Sequence, residues 1–446
     1  MKTEKTEKRF RANLFGKVIT PLSYYLKGDF RFKYFNEYKK NLTKSRKEIE
    51  DFQLSRLKAL VKHAYDTVPY YKELFDKNGI KPEDIKKVED LKKIPPLDKK
   101  TVMSQTERLK STKKYKLIKA FSGGSTGNKI TVFKDKRYYE ISSGVRLRDL
   151  YSVGIDPGDK CAWVWFDTAI KKSIKRLLLD YLICKVNRRL WFNIDKYSDD
   201  KIAEWLSKDF NRFKPDYIFG FAGTIYEMAK VKNERNIKTT PVKVIVTTSE
   251  RLENRGFIEK VFNCPVIDMY GCAEVLSIAF EDKDKVMHTR DDFVIVELGD
   301  NNEVLLTPLE SYGMPLLRYK PGDMGMLKKK PSKKSPSPFK EFNLVIGRVY
   351  ETMINKKGEK IGGGLIKQYI EDENIDVYEF QLVQKTLDLV ELNIVKDDLV
   401  TEKAVSRMKQ VIKETLGATK IKVNYLKTYP VEPNGKRIAF KCEVKK

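Results

Sequence analysis

Phe121-Ser-Gly-Gly-Ser-Thr-Gly-Asn-Lys129 is the densest chemical signal in the chain, with three glycines and three hydroxyl residues at positions 122–127. Glycine leaves backbone N–H groups bare enough to wrap a phosphate. Ser122, Ser125 and Thr126 add hydroxyl donors beside Gly123, Gly124 and Gly127. A P-loop would need Gly-Lys-Ser/Thr opening a helix. Here Gly127 is followed by Asn128 and Lys129, and then by the β-rich run Ile130–Lys134. The pattern is therefore strand, loop, strand. Read alone, the same residues serve equally as a mobile Gly/Ser turn.

Outward from that loop, residues 115–270 alternate short apolar runs with helix-length amphipathic stretches. The runs are Lys116–Phe121, Ala162–Phe166, Tyr217–Phe221, Val242–Thr247 and Val266–Tyr270. Repeated strand then helix predicts a mainly parallel sheet covered on both faces. Residues 285–347 change to short alternating strands with turns: Phe293–Leu298, Glu303–Thr307, Leu316–Tyr319, Met324–Leu327 and Phe342–Ile346. That predicts an antiparallel β-subdomain, with Lys328–Lys340 (KKKPSKKSPSPFK) as an exposed loop. Beyond Gly347-Arg348 a small α+β unit is expected, with a hairpin turning at Lys357-Gly358 and a helix from Leu365. Strands over Glu379–Gln384 and Leu389–Val395, a helix over Glu402–Leu416 and strands over Lys420–Tyr425 and Arg437–Val444 complete it. Upstream, Leu57, Leu60, Val61 and Ala64 give residues 46–76 a helical period that Pro69 interrupts. The first forty residues mix bases with aromatics, as a helical arm packed on the body or as a segment lying on an anionic membrane.

Composition bounds the function. The 446 residues suit two or three domains, and 89 Lys and Arg against 62 Asp and Glu give +27. Such a field favours anionic partners, although no nucleic-acid motif is present and a Lys-rich coding background gives the same balance. No apolar run approaches the ~18 residues of a membrane span, and the charged start, Met1 to Arg11, does not read as a signal peptide. Five scattered cysteines without a CxxC pair fit a reducing cytoplasm, and two histidines exclude a multi-histidine metal centre.

Three further elements carry chemistry. Tyr270-Gly-Cys-Ala-Glu274 directly follows an apolar run, which sets a hard carboxylate just beyond a strand end, where α/β sheets bind ligands. Arg318-Tyr-Lys-Pro-Gly-Asp323 presents Asp323 on a tight turn, as a diol acceptor or as an ordinary turn cap. Gly347-Arg348 and Pro433-Asn-Gly-Lys-Arg437 complete the series, with Lys436 at a glycine turn, solvated or swung onto a phosphate.

In this order and spacing the elements resemble the adenylate-forming superfamily, the acyl-CoA synthetases, adenylation domains and luciferases. The nearest likeness is to the phenylacetate–CoA ligase branch and its capsule-associated, CapK-like relatives. It extends over His63–Phe75, Leu91–Ile94 and Pro95–Lys100, and so over nearly the whole chain. The resemblance implies a large α/β domain of layered, mainly parallel sheets over 1–348, with the β-rich part at 285–347, and a small mobile α+β domain over 349–446. It implies that Ser122 to Gly127 hold the β,γ-phosphates of ATP and that Glu250, in Thr248-Ser249-Glu250, lies near adenine. Tyr270 and Gly271 would line the adenine and acyl pocket, Glu274 would ligate Mg²⁺, and Asp323 would take the ribose hydroxyls. Arg348 would meet ribose or phosphate, and Lys436 would be the adenylation lysine.

The activity so implied is ATP-dependent activation of a carboxylic acid, then thioester formation with coenzyme A, in the assembly of a surface polysaccharide. The competing expectation is a non-catalytic or ATP-binding-only assembly factor at the membrane. One departure is Val349-Tyr350-Glu351 where the family carries two acidic residues with a hinge aspartate. His288 reads as structural. Met228, Met269, Trp163, Trp165 and Phe166 read as acyl-pocket lining or as sheet core.

Overall fold

The computed structural model describes residues 14–122, 130–165, 186–194, 197–250, 252, 254–299, 302–328, 337–346, 348–350, 352–363, 366, 369–370, 380–395, 400–427, 430 and 437–444. The helix Arg46–Thr67 opens on a capping box, where Ser45 accepts from the Glu48 amide and the Glu48 carboxylate reaches back. Val68 then turns extended before Pro69, which starts the next helix, Pro69–Asn78, as its first residue.

The first strand pair is β1 (Leu117–Ser122) with β2 (Ile130–Asp135), antiparallel, with Ser122 opposite Ile130. The expected strand at Lys116–Phe121 therefore exists but stands in this hairpin, outside the parallel sheet. Its mate lies across the glycine loop. Asp135 ends β2, accepts from the Tyr138 amide and so caps the helix Lys136–Ser152.

That helix leads into a seven-stranded sheet. Its strands are β3 (Cys161–Trp165), β4 (Arg189–Asn193), β5 (Tyr217–Phe221), β6 (Val244–Thr248), β7 (Val266–Tyr270), β8 (Ala279–Glu281) and β9 (Met287–Thr289). The order β4-β3-β5-β6-β7-β8-β9 is parallel from β4 to β7 and antiparallel beyond. One face, with Ala162, Val164, Ile218 and Ile245, packs on the helices Ala222–Glu234 and Arg255–Phe262. The other carries Trp163, Phe219, Val246 and Met269. Near-continuous apolar strands buried on both sides are what a parallel sheet requires.

Two antiparallel pairs follow, β10 (Val294–Leu298) with β11 (Val304–Pro308) and β12 (Met324–Leu327) with β13 (Phe342–Ile346). Leu316–Tyr319, expected as a strand, makes only single bridges, from Tyr319 to Leu97 and Leu306. Arg318 at φ 53° interrupts the extended backbone.

The C-terminal stretch forms β14 (Arg348–Tyr350), β15 (Thr352–Ile354), β16 (Lys360–Gly362), β17 (Phe380–Gln384), β18 (Leu389–Val395), β19 (Lys420–Leu426) and β20 (Arg437–Cys442). β15 and β16 form the hairpin expected at Lys357-Gly358, and Gly358 supplies the positive φ of 75°. The other five make one sheet, β14-β20-β17-β18-β19. The helix Glu402–Leu416 spans the expected residues and buries Ala404, Val405, Met408, Val411 and Ile412. The helix expected from Leu365 lies largely outside the described residues.

Candidate active site

The carboxyl ends of the parallel strands are Trp165, Asn193, Phe221, Thr248 and Tyr270. Open α/β sheets bind ligands at this edge. The loops leaving β5, β6 and β7 supply the candidate residues, and the paired strands β1 and β2 close the glycine loop at Ser122 and Ile130. Gly123, Gly124, Ser125, Thr126 and Gly127 lie outside the described residues.

Two of the sequence elements interlock. The Tyr270 phenol donates to Asp323 Oδ2 at 2.7 Å, and the Tyr319 phenol donates to Glu274 Oε1 at 2.6 Å. Each element thus gives its tyrosine to the carboxylate of the other, a crossed pair that fixes both loops. Tyr319 is fully buried and Glu274 nearly so. Tyr270 stacks on Phe342, centroids 5.6 Å apart. Gly271 is required by a close approach, because a Cβ there would stand 2.5 Å from the Leu276 carbonyl oxygen. Asp323 also uses its backbone, accepting from the Val304 amide at 2.9 Å, and stays partly exposed after the positive-φ Gly322.

Beneath this pair lies Lys134, 3% exposed, donating to the Ala273 carbonyl. Burial pulls its ammonium down to about 8, while Cys272 and Glu274 hold it up. Sequence reasoning missed it, although the signal was present. Ile130, Val132 and Lys134 share the inward face of β2 by the two-residue period, so a lysine occupies an apolar row. Tyr319 was missed likewise, hidden between Arg318 and Asp323. Arg318 itself goes into the structure: its guanidinium meets Glu297 at 3.2 Å and the Ile94 carbonyl at 2.7 Å.

Glu250 stands at a neighbouring point of the same edge. Ser249 takes φ 70° and turns the chain after β6, and Glu250 Oε2 accepts from the Gly223 amide at 2.7 Å. Gly223 opens the helix after β5, and a Cβ there would fall 2.7 Å from the same oxygen. A helix N-terminus favours a carboxylate. Burial nevertheless pushes Glu250 up to about 7, and the Gly223 N–H holds it down only in part.

Arg348 opens β14, where its Cα partner across the parallel pairing is Arg437. Lys436, the preceding residue in the chain, lies outside the described residues. Arg348 and Arg437, some ninety residues apart in sequence, are thus brought to neighbouring strands at one sheet end.

The apolar candidates separate. Trp163 and Trp165 share a face with Phe219, at 4.6 Å and 6.1 Å, and with Met269. Met228 belongs to the core on the opposite face. Phe166 lies outside the described residues. His288 sits in β9 with Nε2 3.0 Å from Asp282 Oδ2. Among the described residues no three His, Cys, Asp or Glu side chains group as a metal site. Glu274 is thus not part of a three-ligand cluster among the described residues.

Comparison with known proteins gives the same architecture. The solved structure of 2-hydroxyisobutyryl-CoA ligase with 2-HIB-AMP and CoA, in the thioesterification state, aligns at TM-score 0.61 and 17% identity over 90% of this chain and 92% of that one. Its postadenylation state aligns at 0.56 and 16%, over 89% and 90%. The fold is that of the adenylate-forming CoA ligases.

Within that fold the chain is CapK-like. Residues 353–442 match the CapK C-terminal domain, and protein CapK of Staphylococcus aureus is 23% identical over 426 residues, 93% of each chain. A 44-residue stretch, 10% of each chain, is 46% identical to phenylacetate-coenzyme A ligase of Aromatoleum evansii.

Proposed function

We propose that this protein activates a carboxylic acid with ATP and passes the acyl group from an acyl-adenylate to coenzyme A. The observation that carries the reading is the crossed pair Tyr270–Asp323 and Tyr319–Glu274 at the carboxyl edge of the parallel sheet. Its purpose is positional: buried phenols hold two carboxylates in fixed directions, which is what binding a nucleotide in one pose demands.

In the first half-reaction a substrate carboxylate oxygen attacks the α-phosphorus, a new O–P bond forms, and pyrophosphate leaves with the electron pair of the broken bond. Asp323 takes the ribose hydroxyls with the carboxylate oxygen that Tyr270 leaves open. Lys436 and Arg348 bring positive charge toward the transferring group. Donors aimed at developing charge contribute about 3 kcal/mol each. Glu274 would hold Mg²⁺, which would supply charge neutralisation when bound. In the second half-reaction the coenzyme A thiolate attacks the acyl carbon and AMP departs. Movement of residues 349–446 relative to 1–348 resets the site between the two steps. A role in the assembly of a surface polysaccharide is part of this proposal, on the resemblance to capsule-associated proteins drawn from the sequence motifs.

The test is ATP–pyrophosphate exchange against a panel of carboxylic acids. Acid-dependent exchange that falls about 100- to 1000-fold in Lys436→Ala, with ATP binding kept, is the expected result. Exchange indifferent to that substitution sinks the assignment of Lys436. ATP binding with no exchange for any acid favours the ATP-binding assembly factor instead.

A further inference from the structure

The π-helical turn Phe15–Ile19 runs directly into the α-helix Thr20–Tyr25. A surface helix ordinarily turns its apolar stripe inward. This one is inverted. Leu14, Val18, Leu22, Tyr25, Leu26 and Phe30 recur at three- and four-residue steps and are all exposed, Leu26 at 76% and Tyr25 at 62%. They are six of the eleven exposed large hydrophobics among the described residues.

The inversion is anchored by the opposite, small and polar face. A Cβ on Gly16 would stand 2.7 Å from the Gly158 backbone nitrogen, so glycine alone allows that approach. Thr20, buried, donates its hydroxyl to the Val186 carbonyl at 3.3 Å. Arg188 lies over the Phe15 ring at 5.0 Å, and Arg31 over Tyr24 at 4.1 Å. Lys136, from the body, donates to the Gly28 carbonyl. The helix cannot roll to hide its leucines without breaking these contacts.

Lysines accompany the stripe: Lys17 lies within the helix and Lys27 just after it, both exposed, and Lys33 and Lys40 of the following segment are exposed as well. From residue 14 to residue 40 the sequence holds six Lys and Arg against two Asp and Glu, and one of those acids, Asp29, is spent on Arg31 at 2.6 Å. Apolar side chains accompanied by ammonium groups suit an anionic bilayer, where the chains enter the headgroup boundary and the lysines meet the phosphates. A second copy of this chain brings the same +27 charge and the same lysines, so self-association across this face is opposed by repulsion.

We infer that the helix over residues 14–26 docks the protein on an anionic phospholipid surface through Leu22, Leu26 and their neighbours. This contact is independent of the reaction proposed above. The experiment is co-sedimentation of the full chain with phosphatidylcholine vesicles, with and without about one third phosphatidylglycerol, for the wild type and for Leu22→Ser/Leu26→Ser. The wild type is expected to bind the anionic vesicles, to ignore the neutral ones and to be released by salt. The double variant, altered only at exposed positions, is expected to bind at least about tenfold more weakly with unchanged circular dichroism and melting temperature. Equal binding of wild type and variant overturns the inference, as does equal binding to both vesicle types. So does a failure to bind at low salt, including one accompanied by a dimer in analytical ultracentrifugation that the variant dissolves.

Discussion

The large unit and the C-terminal sheet bury their polar groups in different ways. Around the seven-stranded sheet the interior holds charges in opposition. Arg148, fully buried, donates to Asp292 at 2.6 Å and contacts Asp149 at 3.1 Å, while Arg290 reaches Asp149 at 2.8 Å. Glu310, also fully buried, is met by Arg137 at 2.6 Å and Arg56 at 3.3 Å. In the C-terminal unit no charged side chain is buried among the described residues. There neutral amides cross the sheet in register: Gln381 donates to the Ile438 carbonyl at 2.7 Å, Asn393 to Gln381 at 3.0 Å, and Asn424 to Asn393 at 2.8 Å. Buried charges contribute little net stability but fix geometry strongly when their partners are in place. The contrast puts the mutually dependent buried charges in the large unit and leaves the C-terminal sheet held by apolar packing and amides.

The sharpest way to break this contrast is Arg148→Leu. It removes one cationic partner from each of two buried carboxylates, leaving Asp292 the Asn41 amide and Asp149 the Arg290 guanidinium, and urea unfolding is expected to show a loss of about 3–5 kcal/mol. A loss below ~1 kcal/mol would mean that the charges are not mutually dependent. In the small unit Gln384→Leu deprives the Ile354 amide and carbonyl of their partners at 2.9 Å and 2.6 Å, with about 1–3 kcal/mol expected. A loss equal to that of Arg148→Leu would erase the distinction. Tyr319→Phe keeps the ring and removes the phenol from Glu274, at a stability cost of about 1.5–3 kcal/mol. Weaker ATP binding beyond the thermal effect, read by calorimetry on folded variant, would tie the crossed pair to the nucleotide.

Smaller effects come from pH, with opposite signs at two groups. Glu250 is raised from an ordinary 4.5 to about 7, so the folded state binds the extra proton in that window and stability falls as pH rises through it. Lys134 is lowered from 10.5 to about 8, so the unfolded state binds the extra proton and stability rises from about 8 to 10.5. Glu250→Gln is expected to flatten the first slope and Lys134→Met the second, both followed by urea midpoints across pH. Slopes unchanged by the substitutions would assign the titrations to other groups.

Legibility in the sequence followed the length of the pattern. Leu389–Val395 and Glu402–Leu416 were readable to the residue, because each carries an unbroken period. Arg189–Asn193 was not read as a strand, since Arg, Trp and Asn on one face dilute its apolar signal, and the three-residue β8 and β9 are too short to show any period. At the candidate site the carboxylates announced themselves through their turns. The phenols of Tyr270 and Tyr319 did not, because a tyrosine's partner across the fold is set by tertiary packing. Lys134 was visible in principle as a charge in an apolar row.

The strand order of the C-terminal sheet has a consequence in time. β20 is the last of its five strands in sequence, yet it lies between β14 and β17. During synthesis β14 has no neighbour and β17 offers an open edge until residues 437–442 emerge. The sheet therefore closes late and at once, around its middle. Arg348 and Arg437 are then brought together by the same event that finishes the sheet, so a half-made protein holds no half-made version of that corner.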